Sequence, residues 1–345
     1  MESRPVPAGG CGGRTEPTFS VVVPTYARPG PLRGCLEALA RLDYPRERFE
    51  VLVIDDGGPA GLEAVVAPLR GRLNVTLLRL PANAGPAAAR NAGAARATGR
   101  FLAFTDDDCT PRPGWLRAFA ARFAAAPDHL LGGRTVNVLV DNVFAAASQD
   151  LIDYLYAYYN RVPSEARFFA SNNLAMPAEA YRAIGGFDAS FPPAGEDREL
   201  CHRWRDSGRA MTYVADAVVG HAHALSLHRF WCQHFTYGRG AFHLDRALRR
   251  SGRRSLGVEP LAFYLNLVGH PLRDRTRHGR VAGMALMVVS QIANAAGFFA
   301  ERARGGRRSG AGGGAGGGAG AGGPGWEPAG GRALPRRPDV GRPSK

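Results

Sequence analysis

Asp106, Asp107 and Asp108 stand in a row directly after the apolar run Phe101-Leu102-Ala103-Phe104. Adjacent carboxylates repel by roughly 4 kcal/mol per close pair at an effective dielectric near 20, so such a cluster at the mouth of a buried strand calls for a cation. A hard divalent metal is the simplest one. Carboxylate oxygens suit Mg²⁺ or Mn²⁺, and Mg²⁺ characteristically sits between one or two protein carboxylates and the phosphates of a substrate. The triplet therefore points to phosphate-bearing substrate chemistry. A solvated acidic loop, or an N-cap for a helix beginning near Pro113, is the reading that needs no ligand.

Two further groups of side chains can serve the same chemistry. Glu196 and Asp197 open a helical stretch that runs from Gly195 to about Ser207, and carboxylates in a first turn are stabilised by the helix dipole, so capping alone would explain them. Near a metal-diphosphate site, a carboxylate kept ionised also accepts the proton of an attacking hydroxyl. The run Met211 to Gly220 reads as a strand and ends in His221-Ala222-His223, where alternation puts both imidazoles on one face. Either imidazole can complete the coordination begun by the aspartates or fill a structural role.

These groups need a frame. Phe19 to Val23, Val51 to Ile54, Val75 to Leu80 and Phe101 to Phe104 are short apolar runs suited to strands buried on both faces. Helical stretches separate them: Leu32 to Leu42, Leu62 to Leu69, and the Ala-rich Pro86 to Ala97 with proline in its first turn. This alternation predicts an α/β fold with a mostly parallel, Rossmann-like sheet flanked by helices. Such sheets bind ligands beyond the carboxyl ends of their strands. Polar residues gather at those ends: Pro24-Thr25-Tyr26, Asp55-Asp56-Gly57-Gly58, Asn83-Ala84-Gly85 and the triple aspartate. Each loop has a local reason of its own, a tight turn at Gly57 and Gly58 or an Asx-turn at Asn83, but four at one rim exceed folding needs. Phe168 to Met176 reads as a further strand and carries Ser171-Asn172-Asn173.

In this order and spacing the segments resemble glycosyltransferase family 2 over about residues 18 to 245. The resemblance rests on Val21-Val22-Val23-Pro24-Thr25-Tyr26-Ala27-Arg28-Pro29, Val53-Ile54-Asp55-Asp56-Gly57, the stretch from Asn83 to Gly93, the Asp-x-Asp of Asp106 and Asp108, Gly185-Gly186-Phe187-Asp188, and Gly195-Glu196-Asp197. It implies a GT-A fold and transfer of a sugar from a nucleoside-diphosphate donor to an acceptor hydroxyl, in cell-surface glycan or glycolipid assembly. By the same resemblance Pro24, Thr25, Tyr26 and Asp56 contact the donor nucleoside, Asn83, Gly85 and Arg90 line the donor cleft, and Asp107 faces the ribose or donor sugar. Asp106 and Asp108 hold a divalent Mg²⁺ or Mn²⁺, with His221 a further ligand and His223 in reserve; Asp197 is the general base. Asn172, Asn173 and Glu196 are expected on the acceptor side. One base opposite the leaving group implies direct displacement, hence inversion. Processive synthases of the family carry Gln-x-x-Arg-Trp, whereas this chain reads Phe230-Trp231-Cys232-Gln233-His234-Phe235 onward, so a single transfer is expected.

The net charge of +14 lies wholly in the C-terminal third: residues 1–227 balance 24 Arg against 24 acids, while 228–280 carry 11 Arg against 3 acids. No helix-turn-helix, zinc-finger or RNP pattern is legible, so no nucleic acid is expected as a partner. A lipid-linked acceptor and peripheral contact with an anionic membrane fit that charge instead. The 5 cysteines are scattered, without a C-x-x-C pair, which suits a reducing compartment. The first residues lack an apolar signal core, so a cytoplasmic location is expected, peripheral at the inner face of the membrane. Val281 to Ala300 is long enough to span a bilayer, but Ser290, Gln291 and Asn294 favour a packed or surface-lying helix. The organisation expected is a disordered 1–17, a catalytic domain at 18–225, a helical, basic extension at 226–303 and a disordered Gly/Arg-rich tail at 304–345.

Three other functions compete. A glycoside hydrolase also uses paired carboxylates, but across a sugar and without a metal-diphosphate cluster. A sugar-1-phosphate nucleotidyltransferase shares the architecture and metal need, yet carries a Gly-rich first loop that Pro24 to Pro29 lacks. A non-catalytic sugar-nucleotide-binding protein has no use for both the triplet and Asp197.

Overall fold

The structure, a computed structural model, describes residues 18–310 except 60, 192–193, 254 and 273–278, with the backbone alone given at 305–310. The disordered termini expected at 1–17 and 304–345 therefore fall outside the described residues, apart from 304–310. Every residue of the site below belongs to the unit that ends at Arg304.

In chain order the elements are β1 (Phe19–Thr25), α1 (Pro29–Leu39), β2 (Phe49–Asp55), α2 (Glu63–Val66), β3 (Val75–Arg79), α3 (Pro86–Arg96), β4 (Phe101–Phe104), β5 (Cys109–Pro111), α4 (Trp115–Ala125), β6 (Leu130–Asn137), α5 (Val143–Tyr159), β7 (Leu174–Pro177), α6 (Ala178–Ala183), α7 (Glu196–Asp206), β8 (Met211–His221), α8 (Leu227–Arg250), α9 (Leu261–Gly269) and α10 (Arg280–Gly310). One sheet holds all eight strands in the order β3-β2-β1-β4-β7-β6-β8-β5. The first four run parallel; β7 joins β4 antiparallel, and β6, β8 and β5 continue in mixed directions.

Period-two alternation along β1 explains the two-sided core. Val21 and Val23 pack against Leu36 of α1 and Phe119 of α4, while Val22 faces Ala89 of α3 on the other side. Each such aliphatic side chain removed from water contributes roughly 1.5–3 kcal/mol. A third cluster joins Leu151 and Tyr154 of α5 to Phe230, Phe263, Leu267, Leu286 and Met287 of the last three helices. Glu259 strengthens that junction, accepting hydrogen bonds from Tyr159 at 2.8 Å and Tyr158 at 3.0 Å.

The structure corrects one expectation and adds to the reading at two other places. The strand expected over Phe168 to Met176 begins only at Leu174, because Asn160 takes the backbone of 167 and 168 out of any ladder and Ser171–Asn173 coil into a 3₁₀ turn. Val281 to Ala300 becomes α10, which continues to Gly310 and packs on α8: an added Cβ at Gly238 would meet Asn294 O at 1.8 Å, and one at Gly297 would meet Phe235 O at 1.9 Å. Two elements, β6 and α5, carry no strong periodic signal and emerge only in the fold.

Candidate active site

The sheet delivers four loops to one cleft of about 1170 Å³. Its lining includes Pro24, Thr25, Tyr26 and Arg28 after β1, Asp56 after β2, Asn83 and Gly85 after β3, and all three aspartates after β4. Pairing of β5 with the end of β8 sets Cys109 opposite His221, and Ala222 N donates to Asp108 O at 3.0 Å. Asp108 thereby lies 3.4 Å from His221 Nε2.

Every carboxylate of the triplet already has a partner. Arg90 Nη2 donates to Asp106 at 2.8 Å. Thr25 donates to Asp107 at 2.6 Å, and Arg28 bridges Asp107 and Asp108 at 3.0 and 2.8 Å. Burial pushes Asp107 up to about 6, with help from the charges of Asp108 and Asp106 and against the Thr25 hydroxyl and Arg28. Burial acts on Asp108 in the same sense, but the His221 and Arg28 contacts outweigh it and hold that carboxyl well below the usual range. His221 responds in kind: burial lowers it, and the Asp108 contact more than compensates. His223, 5.1 Å away ring to ring, is lowered to about 4 by burial and by the charge of His221.

Asp108, Cys109 and His221 hold ligand atoms within 4.8 Å of one another. An oxygen and an imidazole nitrogen beside a second carboxylate suit a divalent cation, and the guanidinium of Arg28 also brings positive charge to Asp107 and Asp108. The Cys109 thiol is fully buried, and burial together with Asp106 and Asp108 pushes it far up, so among the three it is the weakest donor.

Opposite the triplet stands the N-terminus of α7. Gly195, at φ +92°, makes the left-handed entry that only glycine adopts without cost, and an added Cβ there would press on Gly240 of α8 at 3.2 Å. Arg90 joins the two sides of the cleft: buried, stacked 5.3 Å over Phe187, it reaches Asp106 with one nitrogen and Glu196 with another at 3.0 Å. Glu196 Oε2 and Arg90 Nε remain buried without a partner among the described residues, as expected of groups awaiting a polar ligand. Asp197, next along the helix, is half-buried in the cleft wall. Desolvation and the neighbouring Glu196 charge push it up to about 7, over the opposing pull of the Arg198 N–H and of Arg90.

The cleft thus brings together Pro24, Thr25, Tyr26, Asp56, Asn83, Gly85, Arg90, Asp106, Asp107, Asp108, Asn172, Glu196, Asp197 and His221. Asn173, expected on the acceptor side, does not line it. Its side chain is fully buried, accepting from Trp115 at 2.8 Å and donating to the carbonyls of Ala217 and Arg134, so it ties α4 to β6 and β8. Asp56 is present but occupied: its two oxygens accept from Ala84 N at 2.8 Å and Gly85 N at 2.9 Å, fixing the third loop against the second. Gly57, at φ +73°, permits that approach, since a Cβ would lie 2.5 Å from the Ala82 backbone.

Arg28 was visible only as part of a motif; its signal is a cation two residues from Tyr26 on a loop facing an acidic one. Asn91 and the Gly185-Gly186-Phe187 turn prove to be scaffold. Asn91 clamps Phe187 through its N–H and C=O, and Arg203 of α7 donates to Gly186 O at 2.7 Å. Other walls, Leu151, Ile152 and Leu155 from α5 and Tyr237 from α8, have no local signature and are set by packing.

Residues 20–185 match the glycosyl transferase family 2 model. The chain is 29% identical over 268 residues to the pre-mycofactocin glycosyltransferase of Mycobacterium tuberculosis, covering 75% of this chain and 55% of that protein. It is 27% identical over 278 residues to the glycosyltransferase AglE of Haloferax volcanii, covering 79% and 90%. The chain therefore spans about half the length of its mycobacterial relative. In structure it resembles the mannosyltransferase PcManGT of Pyrobaculum calidifontis, solved with GDP-Man and Mn²⁺, at a TM-score of 0.55 and 20% identity over 86% of this chain and 81% of that one. With its GT-A fold and these motifs, the chain carries a glycosyltransferase family 2 domain over residues 20–185.

Proposed function

We propose that the chain moves one sugar from a nucleoside-diphosphate donor to an acceptor hydroxyl, with a divalent cation and with inversion at the anomeric carbon. The observation that carries this reading is the single cleft lined at once by Asp106–Asp108 and Asp197. Asp108 and His221, with Asp106 beside them, are the groups to hold Mg²⁺ or Mn²⁺; the PcManGT structure contains Mn²⁺. Bound there, the cation compensates the charge that develops on a departing nucleoside diphosphate. Arg28, nearly half exposed, is free to carry part of its charge onto the same phosphates. Pro24, Thr25, Tyr26 and Asp56 receive the nucleoside, and Asn83, Gly85, Arg90 and Asp107 the rest of the donor.

Asp197 accepts the proton of the acceptor hydroxyl. A base held up to about 7 is well matched to that task near neutrality, being ionised in a large fraction of molecules yet still basic enough to take a proton. Glu196 keeps it there through its neighbouring charge and with Asn172 faces the acceptor. Arg90 keeps Glu196 and Asp106 at fixed positions across the cleft. The setting is cell-surface glycan or glycolipid assembly at the cytoplasmic face of the membrane. A catalytic domain at 18–225 and a basic extension at 226–303 divide the work, the extension favouring a lipid-linked acceptor.

A panel of nucleotide sugars with Mg²⁺ or Mn²⁺, scored by thermal shift and by slow donor hydrolysis, tests the reading. One nucleotide sugar is expected to stabilise the protein only with metal present. Hydrolysis of a simple glycoside without any nucleotide requirement would sink it.

A further inference from the structure

On one side the cleft turns mostly apolar. There Leu151 and Leu155 of α5, Phe263 and Leu267 of α9 and Phe298 of α10 line it, with Glu259, Gln291 and Asn294 among them. The sugar and phosphates of a nucleotide donor are polar and do not call for so apolar an arm. At its mouth stand Val258, 88% exposed, and Phe299, 62% exposed, both of which also line the cleft.

That mouth opens on an apolar surface. Seven residues on one side of α10 are exposed, Val281, Ala282, Ala285, Val288, Ile292, Ala295 and Phe299, and none is polar. Their spacing of three, four or seven places nearly all of them on a single stripe, about 27 Å long at 1.5 Å per residue. The opposite side, with Leu286, Met287, Ala293 and Gly297, is buried against the rest of the unit. Leu261 and Leu265 of α9 are exposed as well, at 72% and 65%. Exposed Arg280 precedes the stripe and exposed Arg302 and Arg304 follow it. Residues 228–280 together carry 11 Arg against 3 acids. An apolar stripe bracketed by arginines on a positively charged segment complements one environment, the boundary between acyl chains and anionic headgroups. By length and composition α10 is long and apolar enough to cross a membrane, but its close backbone contacts with α8 at Gly238 and Gly297 hold it lengthwise against the catalytic unit.

We infer that the exposed face of α9 and α10 rests on an anionic lipid bilayer, with α10 lying along the surface, so that the apolar arm of the cleft opens toward the lipid. The inference rests on the sugar-transfer reading for its purpose: an acceptor with an apolar chain reaches Asp197 from the bilayer without its chain crossing water.

Flotation of the full chain with phosphatidylcholine vesicles, with and without phosphatidylglycerol, at low and high salt tests it. The chain is expected to float with the anionic vesicles at low salt and to be released at high salt or by alkaline carbonate. Val288→Glu combined with Ile292→Glu, both outside the cleft lining, is expected to cut vesicle affinity at least about tenfold while leaving melting temperature and donor hydrolysis unchanged. Failure to float at any composition, or equal flotation of the double variant, overturns the docking face. Retention in carbonate with a protease-protected C-terminus overturns the surface-lying arrangement in favour of a span. Donor binding and hydrolysis report on sugar transfer and flotation reports on docking, so failure of either reading shows by itself.

Discussion

Asp108, at the tip of the fourth strand, and Asp197, at the head of α7, are both carboxylates in the same cleft, and their surroundings drive them in opposite directions. Asp108 has His221 and Arg28 at its two oxygens and stays ionised far into the acid range. Asp197 has a second carboxylate, Glu196, as its chain neighbour and no cation hydrogen-bonded to it among the described residues, so burial lifts it to about 7. Environment, not residue type, therefore separates a carboxyl held ionised beside cations from one lifted toward neutrality, the contrast on which the proposed division between charge-holding and proton-accepting groups rests.

The division can be broken at either end. Asp197→Asn is expected to lower transfer about a thousandfold, the upper part of the range for loss of a general base, with the metal-dependent thermal shift of the donor unchanged; full turnover in this variant would remove Asp197 from the reaction. Asp108→Asn acts at the other pole. Donor affinity in the presence of metal is expected to fall at least about tenfold, measured by calorimetry, with little change in metal-free nucleotide binding.

Proton dependence sharpens the contrast. Because only ionised Asp197 accepts a proton, the transfer rate is expected to fall as pH drops through about 7, approaching tenfold per unit well below it. A rate profile flat from pH 6 to 8 would contradict the assignment. The smallest effect belongs to Glu196→Gln. Removing the neighbouring charge lowers the Asp197 midpoint, so the same profile is expected to shift toward acid, with a modest loss of rate at neutral pH.

How much of this was legible depends on how local the cause is. β1, β2 and β4 announce themselves as apolar runs because a central parallel strand is buried on both faces, and the structure buries all seven residues of β1 and all four of β4. β6 does not, since Gly132 and Gly133 interrupt its pattern; they are there because a Cβ at Gly132 would lie 2.1 Å from the Phe169 ring and one at Gly133 would lie 2.2 Å from Ala217 O. Asn172 and Asn173 illustrate the limit at the site. Adjacent and chemically identical, they looked equally suited to a ligand, yet one lines the cleft and its neighbour is spent on Trp115 and two carbonyls.

From the sequence alone follow the order of strands and helices as far as β4, the acidic tip after that strand and the family that these motifs resemble, because each depends on residues adjacent in the chain. Only the folded chain decides that Glu196, beside Asp197, meets that tip across Arg90, that Arg28 reaches the acidic oxygens, and that a mostly apolar arm of the cleft opens beside an exposed stripe of α10. Those arrangements arise from strand pairing and helix packing between residues as much as a hundred positions apart, such as Arg90 and Glu196, at a separation of 106. No window on the sequence spans that distance, and the chemistry depends on it.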